Sequence, residues 1–163
     1  MNDFSVDRCL MDSAVFAENR LPARADFLAF RNEDELAAGE SSLRLCLDGV
    51  WSFHYANNPS AAPEGFWREG ADIDGWDTIR VPAHIQMEGH DRPAYVNTQY
   101  PWDALEELRP GQVPTHFNPV ADYVRDFVLP EDFRDMELRL RFEGVKPICH
   151  SFGEYENNPW AKR

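Results

Sequence analysis

The stretch Leu43-Arg44-Leu45-Cys46-Leu47-Asp48-Gly49-Val50-Trp51-Ser52-Phe53-His54-Tyr55 decides the fold class. Leu43, Leu45 and Leu47 alternate with Arg44 and Cys46; Trp51, Phe53 and Tyr55 alternate with Ser52 and His54. Successive side chains of a strand point to opposite faces, so a period of two marks a strand buried on one side. Asp48-Gly49 between the two runs is a turn signal, because glycine takes positive φ at no steric cost. The expectation is a pair of strands joined by a tight turn, the second ending at Asn57-Asn58-Pro59.

The same period recurs downstream. Residues 76–81 lead into a short strand. Residues 121–129 set Tyr123, Phe127 and Leu129 on one face and Val124 and Val128 on the other. After a turn at Glu131-Asp132-Phe133-Arg134, Leu138, Leu140 and Phe142 alternate with Glu137, Arg139, Arg141 and Glu143, the clearest such pattern in the chain. About five strands with little helix predict an all-β, antiparallel β-sandwich. A sandwich or jelly roll needs roughly seven or eight strands, so the sheet is expected to be incomplete, with exposed edges.

Outside this region the pattern changes. Residues 1–42 read as an amino-terminal arm. Within it, Arg31-Asn32-Glu33-Asp34-Glu35-Leu36-Ala37-Ala38-Gly39 has helix formers, early acids and a glycine stop, which predicts one short helix ending near Gly39. Residues 82–120 hold Pro82, Pro93, Pro101, Pro110, Pro114 and Pro119, half of the chain's twelve prolines, and predict a long irregular connection. Long ordered loops usually carry function. Residues 146–163 lack alternation and contain Asn157-Asn158-Pro159, so they read as an irregular tail. The expected organisation is an arm over 1–42, a partial sandwich over 43–145 and a tail over 146–163.

Composition narrows the function classes. Hydrophobic residues make up 43% of the 163 and aromatics 13%, enough to bury a core. The formal net charge of -13 repels phosphate backbones, so no nucleic-acid partner is expected. No apolar run is long enough to span a bilayer, and no membrane partner is expected. The opening residues include Asp3, Asp7 and Arg8 and do not read as a signal peptide. Cys9, Cys46 and Cys149 are far apart and odd in number, which argues against a disulfide framework or a CxxC metal site. Reduced thiols in a cytoplasmic protein are the expectation.

The loop sequence goes further. Val81-Pro82-Ala83-His84-Ile85-Gln86-Met87-Glu88-Gly89-His90-Asp91 is followed by Pro93-Ala94-Tyr95-Val96-Asn97-Thr98-Gln99-Tyr100-Pro101-Trp102-Asp103. Around it stand Asn19-Arg20-Leu21-Pro22, Arg31-Asn32, Leu47-Asp48-Gly49-Val50-Trp51-Ser52-Phe53, Val113-Pro114, Asn118-Pro119, Tyr123 and Leu140-Arg141-Phe142-Glu143-Gly144-Val145. Each motif is weak alone. In this order and spacing, over residues 19–145, the set resembles the amino-terminal part of the family 2 glycoside hydrolases, among them the β-galactosidases. Two positions depart from that pattern. Ala121 stands where the family usually has glycine, which would strain a backbone of positive φ. From Lys146 onward the resemblance stops.

The resemblance implies a galactose-binding-like jelly-roll domain belonging to a retaining β-galactosidase, which hydrolyses terminal β-D-galactose from β-galactosides such as lactose. Such enzymes use two carboxylic groups about 5–5.5 Å apart. In the family both are glutamates on a (β/α)₈ barrel, which needs about 200 residues of its own. No acid here matches either one, so no catalytic residue is assigned and the chain alone is expected to be inactive. Glu106 and Glu107 read as solvated surface.

Asn97 does carry over, matching a family asparagine that contacts the galactosyl unit. A side-chain amide offers donors and an acceptor to adjacent hydroxyls. The plainer account, a turn-forming asparagine in a proline-rich loop, stands beside it. Thr98 is a neighbour with a weaker claim, and Trp102 is the best candidate for stacking on a sugar ring, whereas Trp51 reads as core. His84, His90 and His116 fit no usual zinc spacing. No cofactor is assigned to this chain, although the resemblance implies magnesium and sodium for the full-length parent. It also implies a β-galactoside as ligand in the full-length context and a homo-oligomeric or complementing contact through the arm. A stand-alone carbohydrate-binding module and a complementing fragment are the competing functions.

Overall fold

The structure is a computed structural model that describes residues 12, 14–17, 19–23, 25–93, 97, 105–109, 111–145 and 151. Two compact units share the chain. One comprises Met1–Arg44, Ala56–Ala61 and Arg92–Val120; the other comprises Leu45–Tyr55, Ala62–Asp91 and Ala121–Arg163.

The second unit is built on a sheet. Strands β1 (Gly49–Ala56), β2 (Asp77–Val81) and β3 (Val120–Val124) lie in the order β2-β1-β3. β1 and β2 run antiparallel, with Gly49 opposite Val81 and Trp51 opposite Ile79. Alternation decides what this register buries. Trp51, Phe53 and Ile79 share one face, and Phe53 and Ile79 are the largest fully buried side chains, at 1% and 2% exposed. The Tyr123 ring of β3 packs edge-on to Phe53 at 5.0 Å and to Trp51 at 6.5 Å. His90 covers Phe53 from a loop, ring centres 4.3 Å apart. Burying a side chain such as Phe53 contributes about 1.5–3 kcal/mol.

The first unit holds a short helix, α1 (Glu33–Ala38). Asn32 caps it, its side chain accepting from the Glu35 N–H at 2.9 Å, and Glu35 accepts from the Arg31 N–H at 2.9 Å. The first bond satisfies a donor that the first turn leaves open, and the second ties the residue before the cap back to that turn. Glu33, Asp34 and Glu35 place negative charge at the positive end of the helix. Gly39 ends it at φ 71°, as the sequence predicts. Glu35 also accepts from the Ser42 hydroxyl, at 2.6 Å. These bonds, that from the Arg31 backbone foremost, hold its carboxyl below the usual range.

The all-β class holds: the described residues form one open three-stranded sheet, a six-residue α-helix and two single-turn 3₁₀ helices. Four details differ from the sequence-based expectation. Residues 43–47 form no strand and do not pair with β1. Both edges of β1 are already taken, by β2 and β3. The Leu47 carbonyl instead accepts from the Trp51 indole at 2.8 Å, and Leu43 and Arg44 belong to a turn closed by Ser41. The strand expected over 121–129 stops at Val124.

Residues 137–143 form no strand either. Within this stretch Glu137–Arg139 and Arg141–Glu143 each form an ion pair at 2.9 Å. Among the described residues no neighbouring strand pairs with it, and Leu138, Leu140 and Phe142 stay 37%, 58% and 49% exposed. Finally, Ala121 lies inside β3, outside the positive-φ region, so alanine fits there without strain.

Candidate functional site

The segment carrying Asn97 follows the loop that leaves β2. That loop, 82–91, folds on itself. The His84 carbonyl accepts from the N–H groups of Met87 and Glu88 at 2.8 and 3.2 Å, and the Ile85 carbonyl from that of His90 at 3.1 Å. Gly89 takes φ 88°, a conformation that disfavours other residues. The end of the loop is fastened to β1. His90 packs on Phe53, and Asp91 accepts from the Gln86 amide at 3.2 Å and from the Tyr55 hydroxyl. Burial first, then the Asp91 charge and hydrogen bond, push the Tyr55 phenol above its ordinary value.

Asn97 itself is exposed, at a bend in the chain. An exposed amide is free to meet an incoming hydroxyl. Thr98 and Trp102 lie outside the described residues.

Beyond Asn97 a second carboxylate organises the loop. Glu106 accepts from the Thr115 N–H at 3.0 Å through both oxygens, from the Thr115 hydroxyl at 3.0 Å and from the His116 N–H at 3.0 Å. The His116 Nδ1 stands 3.1 Å away. Within the enclosed loop the Gln112 side chain accepts from the Arg109 N–H at 2.8 Å and the Arg109 carbonyl from the Gln112 N–H at 3.0 Å. The bonds from the Thr115 and His116 backbones are the main reason the Glu106 carboxyl is lowered to about 2. This corrects the sequence reading of Glu106 as solvated surface, for its side chain is only 13% exposed. Glu107 is exposed as expected. The sequence held one signal: Pro110-Gly111 marks a turn that brings its flanks together, and Gly111 sits at φ 87°.

A third carboxylate links two strands. Asp122 of β3 is 6% exposed and meets His54 of β1 at 3.3 Å. Burial raises its carboxyl above the ordinary range, and the His54 hydrogen bond and charge offset part of that rise. The His54 ring lies over Trp76 at 5.3 Å, and Trp76 meets Phe66 at 5.5 Å. These groups bind the sheet together. Trp51, half-buried against Tyr123, belongs to the core side as the sequence reading has it.

The three loop histidines go to three places: His84 into a loop turn, His90 onto Phe53 and His116 onto Glu106. Among the described residues no three His, Cys, Asp or Glu side chains gather as a metal ion requires. No helix among them is long and apolar enough to cross a membrane.

Comparison with known proteins identifies the class to which these loops belong. Residues 44–162 match the family described as glycosyl hydrolases family 2, sugar binding domain. The chain belongs to this family. The family 2 match continues past Val145, where the sequence reading ends the resemblance. The β-galactosidase of Halalkalibacterium halodurans is 44% identical over 138 residues, which are 84% of this chain and 14% of that protein. The β-galactosidase of Lactobacillus delbrueckii subsp. bulgaricus is 42% identical over 136 residues, 83% of this chain and 13% of that protein. The β-galactosidase large subunit of Latilactobacillus sakei is 32% identical over 149 residues, 84% of this chain and 24% of that protein. The chain therefore spans a minor share of the proteins it matches.

Proposed function

We propose that this chain serves as the amino-terminal sugar-binding domain of a β-galactosidase that removes terminal β-D-galactose from β-galactosides such as lactose. The observation that carries this reading is the 44% identity to a β-galactosidase over 84% of the chain. The domain supplies scaffold and a loop that reaches the sugar. Asn97, exposed on that loop, donates to and accepts from adjacent galactosyl hydroxyls. Thr98 supports it, and Trp102 stacks on a ring face. The carboxylate pair of the retaining reaction resides in the catalytic domain of the whole enzyme.

Magnesium and sodium belong with that catalytic domain in this reading. The exposed, unbridged Cys46 supports a cytoplasmic setting. The reading of the arm as a subunit contact is supported by its apolar side chains: Phe16, Leu21, Phe27 and Leu28 are 87%, 53%, 66% and 43% exposed. A stand-alone carbohydrate-binding module is not favoured, because the relatives at 39–44% identity are β-galactosidases.

The test is hydrolysis of a chromogenic β-galactoside by the purified chain, alone and mixed with a β-galactosidase lacking its own arm. No turnover is expected from the chain alone, and recovered turnover from the mixture. Turnover by the chain alone would contradict the assignment of catalysis to another domain. A silent mixture would count against the role of the arm.

A further inference from the structure

The dipeptide Asp-Gly occurs twice in the chain, at Asp48-Gly49 and at Asp74-Gly75. Glycine has no Cβ to shield its backbone nitrogen from the carboxyl of the preceding aspartate. Such a pair reacts with itself. The glycine nitrogen attacks the side-chain carboxyl carbon, a five-membered cyclic imide forms, and one water leaves, made of the carboxyl hydroxyl and the N–H proton. A second water then opens the ring. Opening at the side-chain carbonyl restores aspartate. Opening at the backbone carbonyl leaves isoaspartate, whose main chain runs through the side-chain methylene. The net change is an isomerisation that needs water and no other reactant. The glycine nitrogen has to turn towards the carboxyl, so the local backbone must be free to move.

The two copies sit in different surroundings. Gly49 begins β1 and stands opposite Val81 of β2. Its neighbours are tied on both sides: the Leu47 carbonyl accepts from the Trp51 indole at 2.8 Å, and the Val50 carbonyl accepts from Arg125 at 2.6 Å. The Arg125 guanidinium also crowds Gly49, 2.9 Å from where a Cβ would stand. Turning the Gly49 peptide therefore means opening the start of the sheet. Asp74 and Gly75 are instead the two central residues of an exposed turn, closed by a bond from the Trp76 N–H to the Ile73 carbonyl at 3.2 Å. The Asp74 N–H donates to the Asp72 carboxylate at 2.9 Å. Gly75 takes φ 82°, and nothing lies within 4 Å of where its Cβ would be. Among the described residues no group bonds the Asp74 carboxylate or the Gly75 N–H.

We propose that Asp74-Gly75 is a site of spontaneous isomerisation to isoaspartate in the folded chain, and that the sheet protects the same dipeptide at Asp48-Gly49. The inference does not depend on Asn97. Its consequence falls where β2 meets β1. Trp76 closes the turn, its ring packs on His54 at 5.3 Å and on Phe66 at 5.5 Å, and β2 starts at the next residue. An extra main-chain methylene at residue 74 lengthens the turn and moves Trp76 against β1.

Cleavage after arginine separates the two copies, since residues 45–68 carry only Asp48-Gly49 and residues 69–80 only Asp74-Gly75. The test is to hold the purified chain in heavy-oxygen water at mildly acid pH, folded and in urea, then digest it and map the peptides by mass spectrometry. Each ring opening adds one heavy oxygen, and isoaspartate shifts the retention of its peptide. A sample digested at once sets the background. In the folded chain, peptide 69–80 should convert about tenfold faster than peptide 45–68, and in urea the two should agree within about threefold. Equal rates in the folded chain, faster conversion of 45–68, or no conversion of either until urea is added would overturn the proposal. Asp74→Glu, whose longer side chain would need a six-membered ring, should abolish conversion in 69–80. Conversion that persists in this variant belongs to Asp72 or Asp77 and would overturn the assignment to residue 74.

Discussion

β1 and residues 137–143 carry the same alternation and differ in what lies beside them. In β1, Phe53 is 1% exposed, under Tyr123 and His90, with a strand on either side. In 137–143, Leu140 and Phe142 are 58% and 49% exposed, and the ion pairs run along the stretch itself. The alternation is a property of the local sequence. The strand is a property of the neighbour, because its ladder bonds and buried face both require a second chain segment.

The contrast predicts unequal mutational costs. Phe53→Ala should destabilise the chain by about 3–5 kcal/mol, the usual cost of emptying a buried aromatic site. Phe142→Ala should stay within about 0.5 kcal/mol, as exposed substitutions do. Urea unfolding followed by tryptophan fluorescence would measure both. Equal costs would break the comparison by showing that 137–143 has a buried face in solution.

A smaller effect sharpens the account of how β1 begins. Gly49 sits at φ 141°, and a Cβ there would come within 2.9 Å of the Arg125 guanidinium. That guanidinium donates to the Val50 carbonyl at 2.6 Å, so it is not free to withdraw. Gly49→Ala should cost about 1–3 kcal/mol. Gly39→Ala, where the space is open and φ is 71°, should cost about 1 kcal/mol. The difference between their melting temperatures reads out the crowding at Gly49.

The carboxylates give the smallest effect and one of opposite sign in the two regions. Asp122 in the sheet has a raised pKa. Its contribution to stability is present below the ordinary aspartate value and is lost as pH rises through the raised one. Glu106 in the loop has a pKa lowered to about 2. Its contribution is present above the ordinary glutamate value and is lost as pH falls towards about 2. Melting temperatures through the acid range should show that Asp122→Asn removes a decline on raising the pH and that Glu106→Gln removes a decline on lowering it. Matching slopes in the two variants would contradict the assignment.

Much of the fold was legible because its causes are local. Asn32, the early acids and Gly39 specify α1, and the alternation of 51–55 with the stop at Asn57 specifies β1. Partner choice was not legible. β1 pairs with residues 77–81, far along the chain, whereas the run of leucines at 43–47 looked like the nearer mate. Glu106 was hidden for a related reason: its donors are nine and ten residues away, beyond any short-range pattern except the Pro110-Gly111 turn. Asn97 is singled out by resemblance alone, since no periodicity marks it; the structure adds only that it is exposed.

The central claim is that this domain serves a β-galactosidase active site through Asn97. Its most direct test is the KM for a chromogenic β-galactoside of a chimaera in which this chain replaces the matching segment of the Halalkalibacterium halodurans β-galactosidase, with Asn97 and with Asn97→Ala. The account predicts an active chimaera whose KM rises about three- to tenfold on substitution, the loss of one or two neutral hydrogen bonds. An active chimaera whose KM is the same with asparagine and with alanine would contradict it.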